Sequence, residues 1–487
     1  MLDVQGLTVR YENRSKPAVD GISFRIGPGE FVLLMGGSAS GKSTAMQAVC
    51  GFIPEIIHAE KKGTVSIGGQ AFQDATSASK VACMVQQDPE TQFCTEVVED
   101  EVAFGPENLN LPRGEIRDAV DSALASVCAS HLVDRRLTTL SGGEKQKVAI
   151  ASMLAIGPKL LILDEPTSNL DPRSVREVVA AVDALRRARE MTIVVVEHRP
   201  GQFAHLASRA MVMERGRLVE DMGRGSPGFA GLVGGAAPRP PAQVVQRSEV
   251  KAVSVQGLSC QIGGVTILED VSFEVAERSI VALMGENGAG KTTLLRLLTG
   301  LIQPRSGMIS LLGHEFGADK RGEPWTIGRD VGFVFQNPNH QIFERTVEKE
   351  VLFAADNYGA PKEEAAEAVR RFEAAESVRG FVHPHCLSFG QKRRVNIASA
   401  SSHGPSLVLL DEPFAGQDAA NAAAIRDMIV GLRAAGKTAI VVTHDVDFAR
   451  GTCTDVLLMG AGRVVRSGPV ADVPERAWDD LFSGGGA

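Results

Sequence analysis

Short, almost wholly apolar runs recur along this chain, and stretches with helical spacing follow them. FVLLM (31 to 35), LLIL (160 to 163) and TIVVV (192 to 196) have the pattern of strands buried on both faces of a parallel sheet. The elements they predict define an α/β chain. SIVALM (279 to 284) repeats the theme in the second half, and so do longer phrases. GGSASGKST (36 to 44) returns as GENGAGKTT (285 to 293), LILDEP (161 to 166) as LVLLDEP (407 to 413), IVVVEH as IVVTH, and LSGGEKQKV (140 to 148) as LSFGQKRRV (387 to 395). Each recurs about 250 residues further on, so two homologous domains lie in tandem. The expected limits are residues 1–224 and 251–487. Between them, 225–250 is rich in Gly, Ala and Pro without apolar periodicity and reads as a linker of mixed flexible and extended character.

Composition supports two or more ordinary cores, with 487 residues of which 44% are hydrophobic and 23% charged. The net charge of -8, with Lys and Arg scattered, lacks the basic footprint of a nucleic-acid binder. Seven dispersed cysteines without a CxxC pair favour neither a disulfide framework nor a zinc site, and fit a reducing compartment. No run approaches the roughly 18 to 20 apolar residues of a membrane span, so a membrane role would come through partners.

Candidate chemistry lies where the apolar runs end. FVLLM stops at Gly36, Gly37, Ser38, Ala39, Ser40, Gly41, Lys42, Ser43 and Thr44; SIVALM stops at Gly285, Glu286, Asn287, Gly288, Ala289, Gly290, Lys291, Thr292 and Thr293. Strand, glycine loop and helix in that order make a phosphate-binding loop. Its amides close around phosphates, Lys42 or Lys291 reaches the terminal phosphates, and the Ser43 or Thr292 hydroxyl ligates Mg²⁺. Asp164 and Asp411 end a second buried strand in each half and would bind the Mg²⁺ shell. Glu165 and Glu412, one residue on, are placed to orient an attacking water. His198 and His444 end a third apolar run, and their paired recurrence favours a γ-phosphate role over a structural one.

With these motifs in this order, both halves resemble the nucleotide-binding domain of ABC transporters over almost their whole length. The resemblance implies a mainly parallel core sheet with flanking helices, a small helical subdomain and an antiparallel β region. It also implies ATPase activity with ATP and Mg²⁺, and head-to-tail pairing of the two domains. In such a pair each ATP meets the phosphate loop of one domain and the signature phrase of the other, Ser141, Gly142 and Gly143 or Ser388 and Gly390. Tyr11 occupies the place where the family stacks an aromatic ring on adenine, and Ile262 is its counterpart. Gln87 and Gln336 match the Q-loop, which links Mg²⁺ to the transmembrane partner.

The next residues, QDPETQF (87 to 93) and QNPNHQIF (336 to 343), are similar to the Q-helix pattern of energy-coupling-factor importers of vitamins and transition-metal ions. This implies a transmembrane scaffold subunit, a substrate-capturing membrane subunit and a peripheral position on the cytoplasmic face of the membrane. The tandem arrangement is similar to ATPases attributed to uptake of thiamine or its pyrimidine precursor. Other readings are a tandem ATPase of another importer class or a ribosome-acting protein; the intact second loop disfavours a degraded-site importer, and the acidic chain disfavours a ribosome factor. Two asymmetries carry further expectations. Phe389 replaces Gly142, so its backbone donor should be crowded or redirected and the site it serves slowed. Asp88 and Glu90 stand where the second half has Asn337 and Asn339, so only the first groove should offer carboxylates to scaffold arginines.

Overall fold

In the computed structural model the described residues are 1–12, 16–37, 39–72, 75–168, 170–188, 191–198, 200–234, 248–361, 363, 365–366, 369–370, 380–474 and 477–478. Contacts divide the chain into two units, Met1–Ala237 and Pro238–Ala487.

The first unit is built on a six-stranded sheet in the order Arg217–Gly223, Arg209–Glu214, Phe31–Met35, Thr192–Glu197, Leu160–Asp164, Ala82–Val85. All neighbours are parallel except the first pair. The three apolar runs are its central strands and are buried at every position, as a sheet covered on both faces requires. A four-stranded antiparallel sheet, in the order Val19–Ile26, Leu2–Tyr11, Ala59–Ile67, Gln70–Ala71, lies beside it. Helices Val98–Asn108 and Arg113–Ser126 precede the helix that carries the signature phrase, Gly142–Ala155.

The second unit repeats the plan. Its six-stranded sheet runs Val331–Val334, Leu407–Asp411, Thr438–Val442, Ile280–Gly285, Asp455–Gly460, Arg463–Pro469, and its four-stranded sheet Val265–Ala276, Lys251–Ile262, Ser306–Leu311, His314–Gly317. The expected α/β class, with an antiparallel region and helices, is present in both units.

The segment read as a linker differs in one part. Its first half forms a helix, Pro227–Gly234, held by Phe229, which is buried in the first unit's core. A single large apolar residue suffices to anchor a short helix, and periodicity cannot reveal it. Residues 235–247 of that segment lie outside the described residues.

Candidate functional site

Strand register gathers the site. In the first unit Val85 pairs with Leu163, Asp164 with Val196, and Met35 with Glu197, so the residues just past four strand ends converge at one sheet edge. Those residues are Gln87, Glu165, His198 and the phosphate loop. This is the carboxyl edge of an open α/β sheet, where such folds hold ligands.

The loop itself demands glycine. Gly36 has φ 147° and Gly41 φ 98°, and a Cβ would come within 2.2 Å of the Met213 carbonyl oxygen or 2.3 Å of the Ala18 carbonyl oxygen. Gly285, at φ 152°, stands equally close to the Met459 carbonyl. The turn closes identically in both units, Ser40 N–H donating to Gly37 and Ala289 N–H to Glu286, each at 3.2 Å. Helices Lys42–Val49 and Lys291–Leu298 begin directly after it, with Ser43, Thr44, Thr292 and Thr293 half-buried in their first turns. Ala39, Asn287 and Gly288 lie in the loops as expected, and Ser38 lies outside the described residues.

Lys42 Nζ donates to the carbonyls of Gly36 (2.8 Å) and Gly37 (3.0 Å) and lies 3.5 Å from His198 Nδ1. Lys291 Nζ makes the matching pair to Gly285 (2.7 Å) and Glu286 (2.8 Å). Both amines are buried and sit inside the curl of the loop that they would share with phosphate.

The Ser43 hydroxyl donates to Asp164 Oδ1 at 3.1 Å. Burial pushes Asp164 up to about 6; the adjacent Glu165 charge adds to this, while Ser43 and Lys42 oppose it. Asp411 is likewise pushed up to about 6 by burial, with the charge of Glu412 adding to it, and its Oδ1 is buried without a hydrogen-bond partner. A hydroxyl beside a buried carboxylate suits a hard divalent cation that takes its other ligands from water and phosphate, so Mg²⁺ fits these residues.

Glu165 and Glu412 adopt left-handed backbone conformations, φ 48° and 47°, unusual for a non-glycine residue and the same in both units. Each turns its carboxylate to a histidine. His198 Nε2 pairs with Glu165 Oε1, and His444 Nε2 lies 3.0 Å from Glu412 Oε1. Burial works against a charge on His198, but the Glu165 hydrogen bond and charge outweigh it and raise its pKa. Gln87 Nε2 donates to Glu165 Oε2 at 2.8 Å, whereas Gln336 does not bond Glu412 through its side chain.

Ser141 and Ser388 cap their helices through matching capping boxes with Glu144 and Gln391. Their backbones agree, φ -67° and ψ 162° against φ -64° and ψ 159°. Phe389 therefore does not redirect the helix start, contrary to expectation. The position tolerates a side chain because a Cβ on Gly142 would meet only a Leu170 methyl at 3.1 Å, while Gly143 and Gly390 are closely crowded. Tyr11 O–H lies 3.2 Å from Thr44 Oγ1, beside an open cavity of ≈ 660 Å³. Ile262, by contrast, is exposed.

Three features escaped the sequence. Glu197 is buried beside His198, accepts from Thr167 Oγ1 at 2.7 Å, and is pushed up to about 7 chiefly by burial. Lys145 reaches Glu90 across more than fifty residues of chain. Arg393 is wholly buried.

Fold and site together define a P-loop ATPase with two nucleotide sites' worth of motifs. The chain belongs to the ABC transporter family, whose pattern matches residues 19–168 and 268–415, and it is an ATP-binding subunit with ATPase activity. It is 34% identical to "Putative HMP/thiamine import ATP-binding protein YkoD" of Bacillus subtilis, over 94% of this chain and 90% of that one. It is 33% identical to a "Putative ABC transporter ATP-binding protein" of Methanosarcina mazei, over 96% and 89%. Among solved structures, the archaeal ribosome recycling factor aABCE1, in complex with ribosomal stalk protein aP1, matches 98% of this chain and 92% of its own with a TM-score of 0.61. At 20% identity that likeness concerns the fold alone. Among the described residues no helix is long and apolar enough to cross a membrane.

Proposed function

We propose that this chain energises uptake of a vitamin or metal-ion type micronutrient as the tandem ATPase of an energy-coupling-factor importer. The observation that carries this reading is the similarity, across nearly the whole chain, to a relative named for HMP/thiamine import. The paired Q-helix phrases after Gln87 and Gln336 support it. Its partners would be a transmembrane scaffold subunit and a substrate-capturing membrane subunit, with the ATPase on the cytoplasmic face. Residues 1–224 and 251–487 would act as the two ATPase domains, paired head to tail as the family's are.

In each unit the loop amides and Lys42 or Lys291 bind the phosphates. Ser43 with Asp164, and Thr292 with Asp411, would hold Mg²⁺, which would supply positive charge to offset that of the phosphate oxygens. Glu165 and Glu412 orient the attacking water, held in place by His198 and His444, and most of the rate comes from this positioning. Gln87 already bonds Glu165, so movement of the Q-loop is transmitted directly to the catalytic carboxylate. Ser141, Gly142 and Gly143, and Ser388 and Gly390, present helix-start amides to the γ-phosphate of the opposite site.

The test is to purify the membrane complex through this chain and identify its co-purifying membrane proteins and bound small molecule. The expected result is two kinds of membrane subunit and a vitamin or metal ligand. Recovery on ribosomes in low salt without membrane proteins would overturn the reading.

A further inference from the structure

Among the described residues the largest fully buried side chain is a charged one. Arg393 is 0% exposed, in the second turn of the helix that begins at Phe389. A buried charge without compensation is expensive, yet among the described residues no carboxylate forms an ion pair with it. Its guanidinium bonds the main chain of the second Q-loop instead. Nη1 donates to the Phe335 carbonyl at 2.5 Å and Nη2 to that of Gln336, while Nε has no hydrogen-bond partner. The Phe389 ring covers the guanidinium, its centroid 5.8 Å from Cζ.

The first unit has neither partner of this arrangement. Gln146 stands in place of Arg393, also buried, with its Nε2 unbonded, and Gly142 stands in place of Phe389. The two exchanges lie one helical turn apart on one face, where side chains meet. The Q-loops differ accordingly: Gln87 reaches Glu165 through its side chain, whereas Gln336 is tied by its carbonyl and its side chain does not bond Glu412.

We propose that Arg393 is a positioning residue that clamps the Phe335–Gln336 main chain to the head of the signature helix, with Phe389 as its cover, so that the second Q-loop is fixed where the first can shift. Charge-assisted bonds to two successive carbonyls hold more firmly than the neutral bonds available to glutamine. Burial lowers the Arg393 pKa to about 10, against the charges of Asp411 and Glu412, so the clamp stays charged at neutral pH. This explains why a bulky ring is accommodated in one signature phrase: it stabilises a cation beneath it. The inference rests on Gln336 being a Q-loop residue of a transport ATPase.

Amide hydrogen exchange on the full chain tests it independently of activity. Arg393→Gln is the variant of choice because Gln146 shows that glutamine fits this buried position. Exchange in residues 335 to 341 should quicken about tenfold, with 86 to 92 and the strand Leu407–Asp411 unchanged; Phe389→Gly should give about a third of that effect. Unchanged exchange at 335 to 341, or faster exchange spread through the second unit as for a simple core filler, would overturn the clamp. In the assembled complex Arg393→Gln should change kcat threefold or more with KM for ATP within twofold; a shift in KM alone would also overturn it. Failure of the complex to form with membrane subunits would count against the transport reading while leaving the exchange result standing.

Discussion

Lys145 Nζ lies 2.5 Å from Glu90 Oε1, joining the signature helix of the first unit to the turn that follows its Q-loop. The second unit makes the same link with a neutral acceptor, Lys392 Nζ donating to Asn339 Oδ1 at 2.9 Å. Glu90 is thus engaged within its own unit, and Asp88 caps the turn by accepting from the Glu90 N–H. The pair expected to await scaffold arginines is already partly used.

Glu90→Gln should therefore weaken the internal link before it weakens docking. The pair is largely solvent-exposed on the Glu90 side, so stability should change by no more than about 1 kcal/mol. Transport per ATP hydrolysed should fall by at least twofold, while Asn339→Ala has a smaller effect. Uptake and ATPase assays on the same complex measure the ratio; equal effects of the two variants would count against the link.

Glu165→Gln and Glu412→Gln should each cut ATP hydrolysis in the complex, and Glu412→Gln should cut it further. In the head-to-tail pairing proposed above, the site with Glu165 would meet the signature that carries Phe389, a residue that is 41% exposed. Since the helix start is undistorted, the disadvantage should be modest, about threefold in rate, or less than 1 kcal/mol. Steady-state ATPase rates decide it, and a greater loss in Glu165→Gln would refute the asymmetry.

Tyr11→Ala should weaken nucleotide retention at the first site by about tenfold, since stacking on an aromatic ring contributes roughly 1 to 3 kcal/mol per base. Ile262→Ala should change retention at the second by less than twofold. Equilibrium binding of a fluorescent ATP analogue to Lys291→Ala and Lys42→Ala backgrounds separates the two sites.

Glu197 gives a stability prediction with a definite sign. Its pKa is raised from 4.5 to about 7 in the folded chain, so between those values the folded state holds a proton that the unfolded state releases. Stability from this group is present below pH 4.5 and is lost as pH rises through 7. Glu197→Gln keeps an acceptor for Thr167 and has no such loss. It should match the parent at low pH and exceed it by about 3 kcal/mol at pH 8, an order-of-magnitude figure from the shift. Denaturation curves at several pH values test it, and a variant less stable than the parent at pH 8 would refute it.

The sequence by itself determined the strand, loop and helix at each phosphate site, the helix caps at Ser141 and Ser388, and the doubling of the whole pattern. These are set by contiguous residues, because glycine conformation, side-chain capping and apolar runs act within a few positions of the chain. Tertiary structure alone decided that Gln87 meets Glu165, that Glu165 meets His198, and that Lys145 meets Glu90. Those pairs come from different strands and helices, and parallel register brings their ends together without leaving a local signal. It also decided the role of Phe389. Read along the chain, the ring could only crowd a ligand; in the fold, Arg393 is buried beneath it and bonded to a loop more than fifty residues away, because helix packing leaves that cation no route to water.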